Sequence, residues 1–432
     1  MARLTFPAPP NSLRRGPLRA GAFRGALHDE RTASLIGTAL GVAFATAFLT
    51  GLISHELQLP HPPSWIPSRP VWIYRFTQGL HVASGMAAIP LLLAKLWTVY
   101  PRLFSWPPVT SILHALERLS ILVLVAGAIF ELVTGLLNMV QWYPWQFAFV
   151  QTHYRVAWVT VGALLLHLAV KAPAIARGYR REPVPNAEVG TSVETPAEAD
   201  VSSAEPAASA VSATSAVSAV SPTTVIDVDP PKTRPERINR RSLLIATGAA
   251  VGVVTLTTVG QSVTWLGGLD LLAPRDPSVG PQDVPINRTA AQAGVLVSAL
   301  DPTWRLEVGG PRPFRLAMDQ LAAMRQHEAV LPIACVEGWS VNGRWGGVRL
   351  RDLLDRAGVP SASDVRIISI ERSGGYAVTT MPGRYARDPL TLLALRLGGE
   401  PLSIDHGYPA RIIAPGRPGV LQTKWVQRIE VA

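Results

Sequence analysis

The sequence predicts a multidomain protein, an all-α transmembrane bundle followed by an α+β domain, and three observations carry that prediction. Only 16% of the 432 residues are charged, against about 25% in an ordinary soluble chain, and mean hydropathy is positive. Five windows are apolar and long enough to cross a bilayer, which takes roughly 20 such residues. Residues 280–432 then change to short apolar runs broken by Gly and Pro, long enough in total for one well-buried domain. The single cysteine, Cys335, excludes an intramolecular disulfide framework, a Cys-rich zinc site and a cysteine-ligated iron-sulfur cluster, each of which needs several thiolates.

The chain opens on a basic tail, residues 1–33, with Arg14, Arg15, Arg19, Arg24 and Arg31. Four apolar windows follow and make residues 34–175 a four-helix membrane domain. The first, 34–53, carries no charge. The second, 71–99, holds Arg75, His81 and Lys95 and is bounded by Trp72 and Tyr74 at one end and Trp97 and Tyr100 at the other, expected as interfacial belts. Glu131 lies in the third window, 119–140, and His153 and His167 in the fourth, 150–170. Arg102, Arg118, Lys171, Arg177, Arg180 and Arg181 all fall on the same side as the tail, whereas the two opposite loops hold only Arg69. Basic loops stay cytoplasmic, so the N-terminus is expected inside.

Residues 176–239 are dominated by Ala, Ser, Val, Pro and Thr without helical or strand periodicity, and are expected to form a disordered cytoplasmic linker. A fifth span, 240–263, then carries the chain outward, placing the last domain on the extracytoplasmic face. Arg240 and Arg241 at its start read either as a twin-arginine export signal or as a basic anchor. No small-residue cleavage pattern follows, so the span is expected to stay attached. The net charge of +10 is a topology signal: no basic stripe with interleaved aromatics points to nucleic acid.

Ionisable residues within a bilayer are costly and often functional. His153 and His167 are 14 residues apart, close to four helical turns, so they share a face ~21 Å apart along the axis. That spacing suits two haems stacked across a membrane, and His81 sits at a depth to face His153, as in a b-type haem held by two imidazoles. The position 14 residues beyond His81 is Lys95, so His167 lacks an evident partner, and His114 lies at the cytoplasmic edge. The alternative is a set of hydrogen-bonded bundle histidines with no metal. Glu131 likewise reads as a helix-to-helix hydrogen bond or as a proton route linked to quinone chemistry. In layout residues 34–175 are similar to the membrane cytochrome b and ferric-reductase-like subunits, which implies haem b and electron transfer.

Taken alone, Cys335 could be buried structural filler or a specialised thiolate ligand. Its surroundings are distinctive: Cys335-Val336-Glu337-Gly338-Trp339-Ser340, Trp345 ten residues after the cysteine, Arg349-Leu350 and Leu353-Leu354, Asp405-His406-Gly407-Tyr408-Pro409-Ala410-Arg411, and Lys424-Trp425. In this order the motifs resemble the sulfite oxidase and periplasmic methionine sulfoxide reductase superfamily of molybdenum enzymes, over residues 281–431. The resemblance implies a sulfite-oxidase-type molybdopterin-binding fold and a molybdenum held by a pterin dithiolene and the Cys335 thiolate. It further implies that His406, Arg411 and Lys424 hold the pterin and its phosphate, with Gln422 and Thr423 contributing backbone, Asn287 an upstream contact, and Ser373 or Arg372 another. Trp345 and Tyr376 join Cys335 as the expected catalytic set, and Trp339 and Arg344 as pocket lining.

Two departures favour the sulfoxide reductase branch. The arginine pair that clamps sulfite after the cysteine is replaced by Gly338-Trp339-Ser340-Val341-Asn342, and no immunoglobulin-like domain follows by Ala432. The expectation is a membrane-anchored oxidoreductase that reduces a small-molecule or methionine sulfoxide outside the cytoplasm, with electrons from quinol or a cytoplasmic reductant. The alternatives are oxidation of a small substrate such as sulfite with electrons passed to the quinone pool, and a tethered sensor or scaffold without cofactor.

Overall fold

A computed structural model describes residues 8–9, 11–15, 26–104, 106–179, 239–372 and 374–432. Nearly all of the expected linker, most of the N-terminal tail and Ser373 lie outside the described residues. The helices and the C-terminal domain form one unit, Met1–Tyr179 with Asn239–Ala432.

Among the described residues, five helices are long and apolar enough to cross a membrane: α1 (Glu30–Gln58), α2 (Ile73–Val99), α3 (Ile112–Met139), α4 (Phe149–Tyr179) and α5 (Arg240–Val259). Side-chain caps start three of them, because the first backbone N–H groups of a helix have no partner within it. Asp29 accepts from Thr32 N at 2.6 Å, Ser111 from His114 N at 3.1 Å and Asn239 from Ser242 N at 2.8 Å. Small residues make the close contacts: Leu40 and Ala43 of α1 meet Ala88, Leu91 and Leu92 of α2 and Ala128 of α3. Leu49, Leu93, Leu122, Leu165 and Ile245 point outward, a face suited to lipid.

Arg240 and Arg241 form the first turn of α5, and Arg240 pairs with Asp29 at 3.6 Å. Two expectations change. The fifth helix ends at Val259, four residues early, because Gln261 and Ser262 are drawn into the C-terminal domain: Gln261 O accepts from Ser340 N at 2.7 Å and Ser262 Oγ donates to Gly338 O. Tyr74 is 2% exposed and packs with Ala334, whereas its belt partners Trp72 and Trp97 are more than half exposed. Tyr74 belongs to the seam between bundle and domain.

The C-terminal domain has ten strands: β1 (Leu306–Val308), β2 (Phe314–Leu316), β3 (His327–Ala334), β4 (Ser340–Arg349), β5 (Val365–Ser369), β6 (Val378–Met381), β7 (Leu392–Leu397), β8 (Glu400–Pro401), β9 (Arg411–Ile413) and β10 (Val426–Val431). One sheet runs β2-β1-β10-β5-β6, antiparallel except for the β1/β10 pair. The other runs β3-β4-β7-β8, with β9 also on β7. Helix α6 (Leu350–Arg356) leaves β4 and buries Leu350, Leu353 and Leu354 in the core that links the sheets. The final strand begins only at Val426, because Trp425 before it adopts a left-handed φ of 52°. That kink frees residues 422–424 from the ladder.

The domain sits on the end of the bundle away from the basic loops. Arg69 meets Asp388 at 3.0 Å, His61 meets Asp364 at 3.2 Å, and Arg384 donates to Pro62 O at 2.8 Å.

Candidate functional site

At the end of β3 the chain makes a tight turn that exposes Cys335 to a pocket. Cys335 N donates to Trp339 O at 2.9 Å and Gly338 N to Cys335 O at 3.1 Å. The turn needs a left-handed residue, and Gly338 supplies φ 100°. Cys335 is 2% exposed, and burial, reinforced by the Glu337 carboxylate, holds its thiol well above the ordinary cysteine range. A thiol so placed is inert as a free nucleophile, but a bound cation would hold it as thiolate. Glu337 is itself buried and raised, partnered by Trp339 Nε1 at 3.0 Å and by Gln141 from the bundle.

The far wall of the pocket is cationic. Ser403 caps the short turn Ile404–His406 by accepting from His406 N at 3.2 Å, and Gly407 closes it at φ 109°. A Cβ on Gly407 would stand 3.1 Å from the Cβ atoms of both Arg411 and Lys424, so glycine is what lets these two residues converge. Arg411 donates to His406 O at 3.2 Å and Gln422 O at 3.3 Å; Lys424 Nζ donates to Arg288 O at 2.6 Å and Asp405 O at 2.9 Å. These acceptors are all carbonyls, and among the described residues neither base has a carboxylate within salt-bridge distance. Burial lowers Arg411 to about 9; burial, then the Arg411 charge, lowers Lys424 to about 7 and His406 to about 4. His406 is therefore neutral at pH 7, with Nε2–H directed at Pro281 O at 2.6 Å.

Among the described residues, two further buried atoms, Arg411 Nε and Gln422 Oε1, have no hydrogen-bond partner. Buried cations and open polar valences around one cavity call for an anion with several acceptor atoms. A phosphate-bearing pterin whose sulfurs and metal reach the Cys335 thiol has that chemistry, so the residues fit such a group.

Asn287, Cys335, Trp339, Tyr376, His406, Arg411, Gln422, Thr423 and Lys424 all line this one pocket. Trp345 does not: it is fully buried on β4, its indole donates to Leu331 O at 3.3 Å, and its ring supports the Arg411 guanidinium 5.0 Å away. Its expected catalytic contact gives way to a packing role beneath Arg411. Arg344 points to solvent and bonds Gly398 O at 3.1 Å. The Arg288–Glu371 ion pair, 2.6 Å, also borders the pocket and was not anticipated, since neither residue lies in a distinctive motif.

A second cavity lies within the bundle, lined by Phe44, Gly51, Gly85, Glu131, Gly135 and Val336 around two imidazoles. His81 and His153 face each other there with ring centroids 6.0 Å apart. Each Nδ1 is engaged: His81 with Ala47 O at 2.8 Å, and His153 with Thr134 Oγ1 and Glu131 Oε2, both at 3.0 Å. Outer bonds of this kind orient a ligating imidazole and leave Nε2 for a metal. A Cβ on Gly51 would stand 3.0 Å from His81 Cε1 and Nδ1, and one on Gly135 3.7 Å from His153 Cε1, so glycine is what lets the two imidazoles lie this close to α1 and α3; two imidazoles facing one apolar cavity suit a b-type haem. His167 lies outside this cavity, in a neighbourhood of Glu117, Lys171 and Lys95, so its expected role as an iron ligand has no support from this chamber. His114 Nδ1 is spent locally, accepting from Thr110 N at 3.1 Å.

Residues 293–432 match the oxidoreductase molybdopterin binding domain family. Similar proteins include the mitochondrial sulfite oxidase of Drosophila melanogaster, 31% identical over 155 residues, covering 30% of this chain and 27% of that one. The mitochondrial sulfite oxidase of Mus musculus is 32% identical, covering 31% and 30%, and a nitrate reductase [NADH] of Hordeum vulgare is 34% identical, covering 30% and 18%. The chain thus spans less than a third of the length of these relatives. The sulfane dehydrogenase SoxCD from Paracoccus pantotrophus is 25% identical, covering 30% of this chain and 38% of that one with a TM-score of 0.28, too low to bear on the fold.

Proposed function

The C-terminal domain is an oxidoreductase molybdopterin-binding domain of the sulfite oxidase superfamily, and from that premise we propose that the whole protein is a membrane-anchored molybdenum oxidoreductase that reduces a sulfoxide-type substrate on the extracytoplasmic side. The observation that carries the reading is the convergence of the Cys335 thiol with Arg411, Lys424 and His406 on one pocket. Cys335 would hold molybdenum as thiolate; Arg411 and Lys424 would take the pterin phosphate, and Asn287, Gln422, Thr423 and the neutral His406 would fix the pterin. Molybdenum, when bound, supplies two-electron oxygen-atom transfer, and a b-type haem between His81 and His153 supplies one-electron transfer.

The stretch after the cysteine favours sulfoxide over sulfite. Residues 338–342 bear no cation and turn toward the bundle, where Asn342 Oδ1 accepts from Arg75 at 3.3 Å. The pocket lining also includes Ile333, Trp339, Tyr376 and Val420, surface suited to an uncharged molecule. Reduction of a sulfoxide takes two electrons and two protons, breaks the S–O bond and releases a thioether and water. The electron donor in this reading is quinol or a cytoplasmic reductant.

Purified protein assayed for methionine sulfoxide reduction against sulfite oxidation tests the direction. Preferential sulfite oxidation would replace this reading with its reverse, electrons then passing to the quinone pool. Molybdenum bound by wild type and absent from Cys335→Ser would dispose of a cofactor-free scaffold.

A further inference from the structure

We propose that the backbone of Val336, gripped by Gln78 and Asn138, is the junction through which electrons pass from the bundle cavity to Cys335. The proposal rests on the reading that haem b sits between His81 and His153.

Its basis is a juxtaposition. Val336 lines the bundle cavity together with both imidazoles, while Cys335, one peptide bond away, lines the cofactor pocket. The Val336 carbonyl accepts from Gln78 Nε2 of α2 at 3.2 Å and from Asn138 Nδ2 of α3 at 3.1 Å, which occupies both of its lone pairs. Gln78 lies one helical turn before His81, and Asn138 one turn beyond Thr134, the residue bonded to His153. The turn is pressed against α2 as well: a Cβ on Gly338 would stand 3.0 Å from Val82 Cγ2, next to His81. Electronic coupling falls far more steeply across a gap than along covalent and hydrogen bonds, so a clamped backbone joining two chambers is the favoured route. Gln78 and Asn138 are positioning residues in this scheme; neither touches a reacting atom.

The balance is simple. Quinol is oxidised to quinone, releasing two protons and two electrons. The electrons pass one at a time along the junction, and the sulfoxide takes both together with two protons from solvent, giving thioether and water.

The test uses the detergent-solubilised full-length holoprotein and the double variant Gln78→Leu/Asn138→Leu. The haem band is reduced anaerobically, its reoxidation is timed after addition of dimethyl sulfoxide, and turnover is measured separately with reduced benzyl viologen, a donor that reaches the exposed domain directly. Haem reoxidation is expected to slow severalfold while viologen-driven turnover stays near the wild-type rate. Equal slowing of both would overturn the proposal, since the clamp would then only shape the cysteine turn; reoxidation at the wild-type rate would overturn it too. Should the double variant fail to accumulate, the single variants Gln78→Leu and Asn138→Leu, each of which removes one of the two bonds to Val336 O, decide on the same two rates. A wild-type protein without a haem band refutes the haem reading itself, an outcome separate from either of these.

Discussion

Cys335 and Val336 are consecutive residues that line different chambers: Cys335 lines the cationic pocket of the C-terminal domain, and Val336 the cavity between the helices. The turn at the end of β3 makes this reversal, and the amides of Gln78 and Asn138 hold it in place.

Replacing Cys335 with Ser separates its two roles. At a site this buried, a hydroxyl without a new partner costs about 1–3 kcal/mol of stability. Molybdenum content, measured by elemental analysis, is expected to fall to background. Retention of the metal at wild-type stoichiometry would remove Cys335 from the ligand set.

Gly407→Ala tests the convergence of the bases. Alanine at φ 109° is strained, and its Cβ would crowd Arg411 and Lys424. A loss of about 1–3 kcal/mol is expected from the backbone alone. Thermal unfolding and molybdenum content should fall together; an unchanged metal load would show that the two bases need not meet there.

Lys424 makes anion binding pH-dependent. Its amine falls to about 7 in the fold, against about 10.4 in an unfolded chain, so between these values the unfolded state holds the extra proton. Without cofactor, the fold gains stability as pH rises through that window and carries the cost of the buried charge below it. A bound anion reverses this preference by favouring the protonated amine. Inorganic phosphate should therefore raise the melting temperature of cofactor-free full-length protein more near pH 6 than near pH 9. Equal stabilisation at both would place the phosphate elsewhere.

His81→Ala and His153→Ala should each abolish a b-type optical band, while His167→Ala should keep it, because only the first two face each other across the cavity. Loss of the band in His167→Ala alone would reverse that assignment.

Much of the architecture was legible because it is local. A bilayer span is written as some twenty apolar residues in a row, and all five windows became helices; the boundaries moved where the cap at Asp29 or the pull of Ser340 on Gln261 took over. The pocket was legible through motif order, since Cys335, His406, Arg411 and Lys424 lie in distinctive stretches. Arg288 and Glu371 were not, because an ordinary Arg and Glu 83 positions apart reveal nothing until the fold sets them 2.6 Å apart. Trp345 misled for a related reason: a tryptophan in a motif can line a site or carry the residue that does, and only the cation-over-ring stacking of Arg411 on Trp345 tells which.

By itself, then, the sequence determined the helices long and apolar enough to cross a membrane, the two-part organisation and the identity of the one thiol, all properties of contiguous residues. The facing of His81 and His153 follows from their depth in the spans and is met in the fold, whereas tertiary structure alone decided that Gln78 and Asn138, unremarkable amides on two helices, converge on the carbonyl beside Cys335. The physical reason is that hydrogen bonds between distant segments are set by helix packing and domain docking, and polar side chains carry no local mark of the partner they will meet.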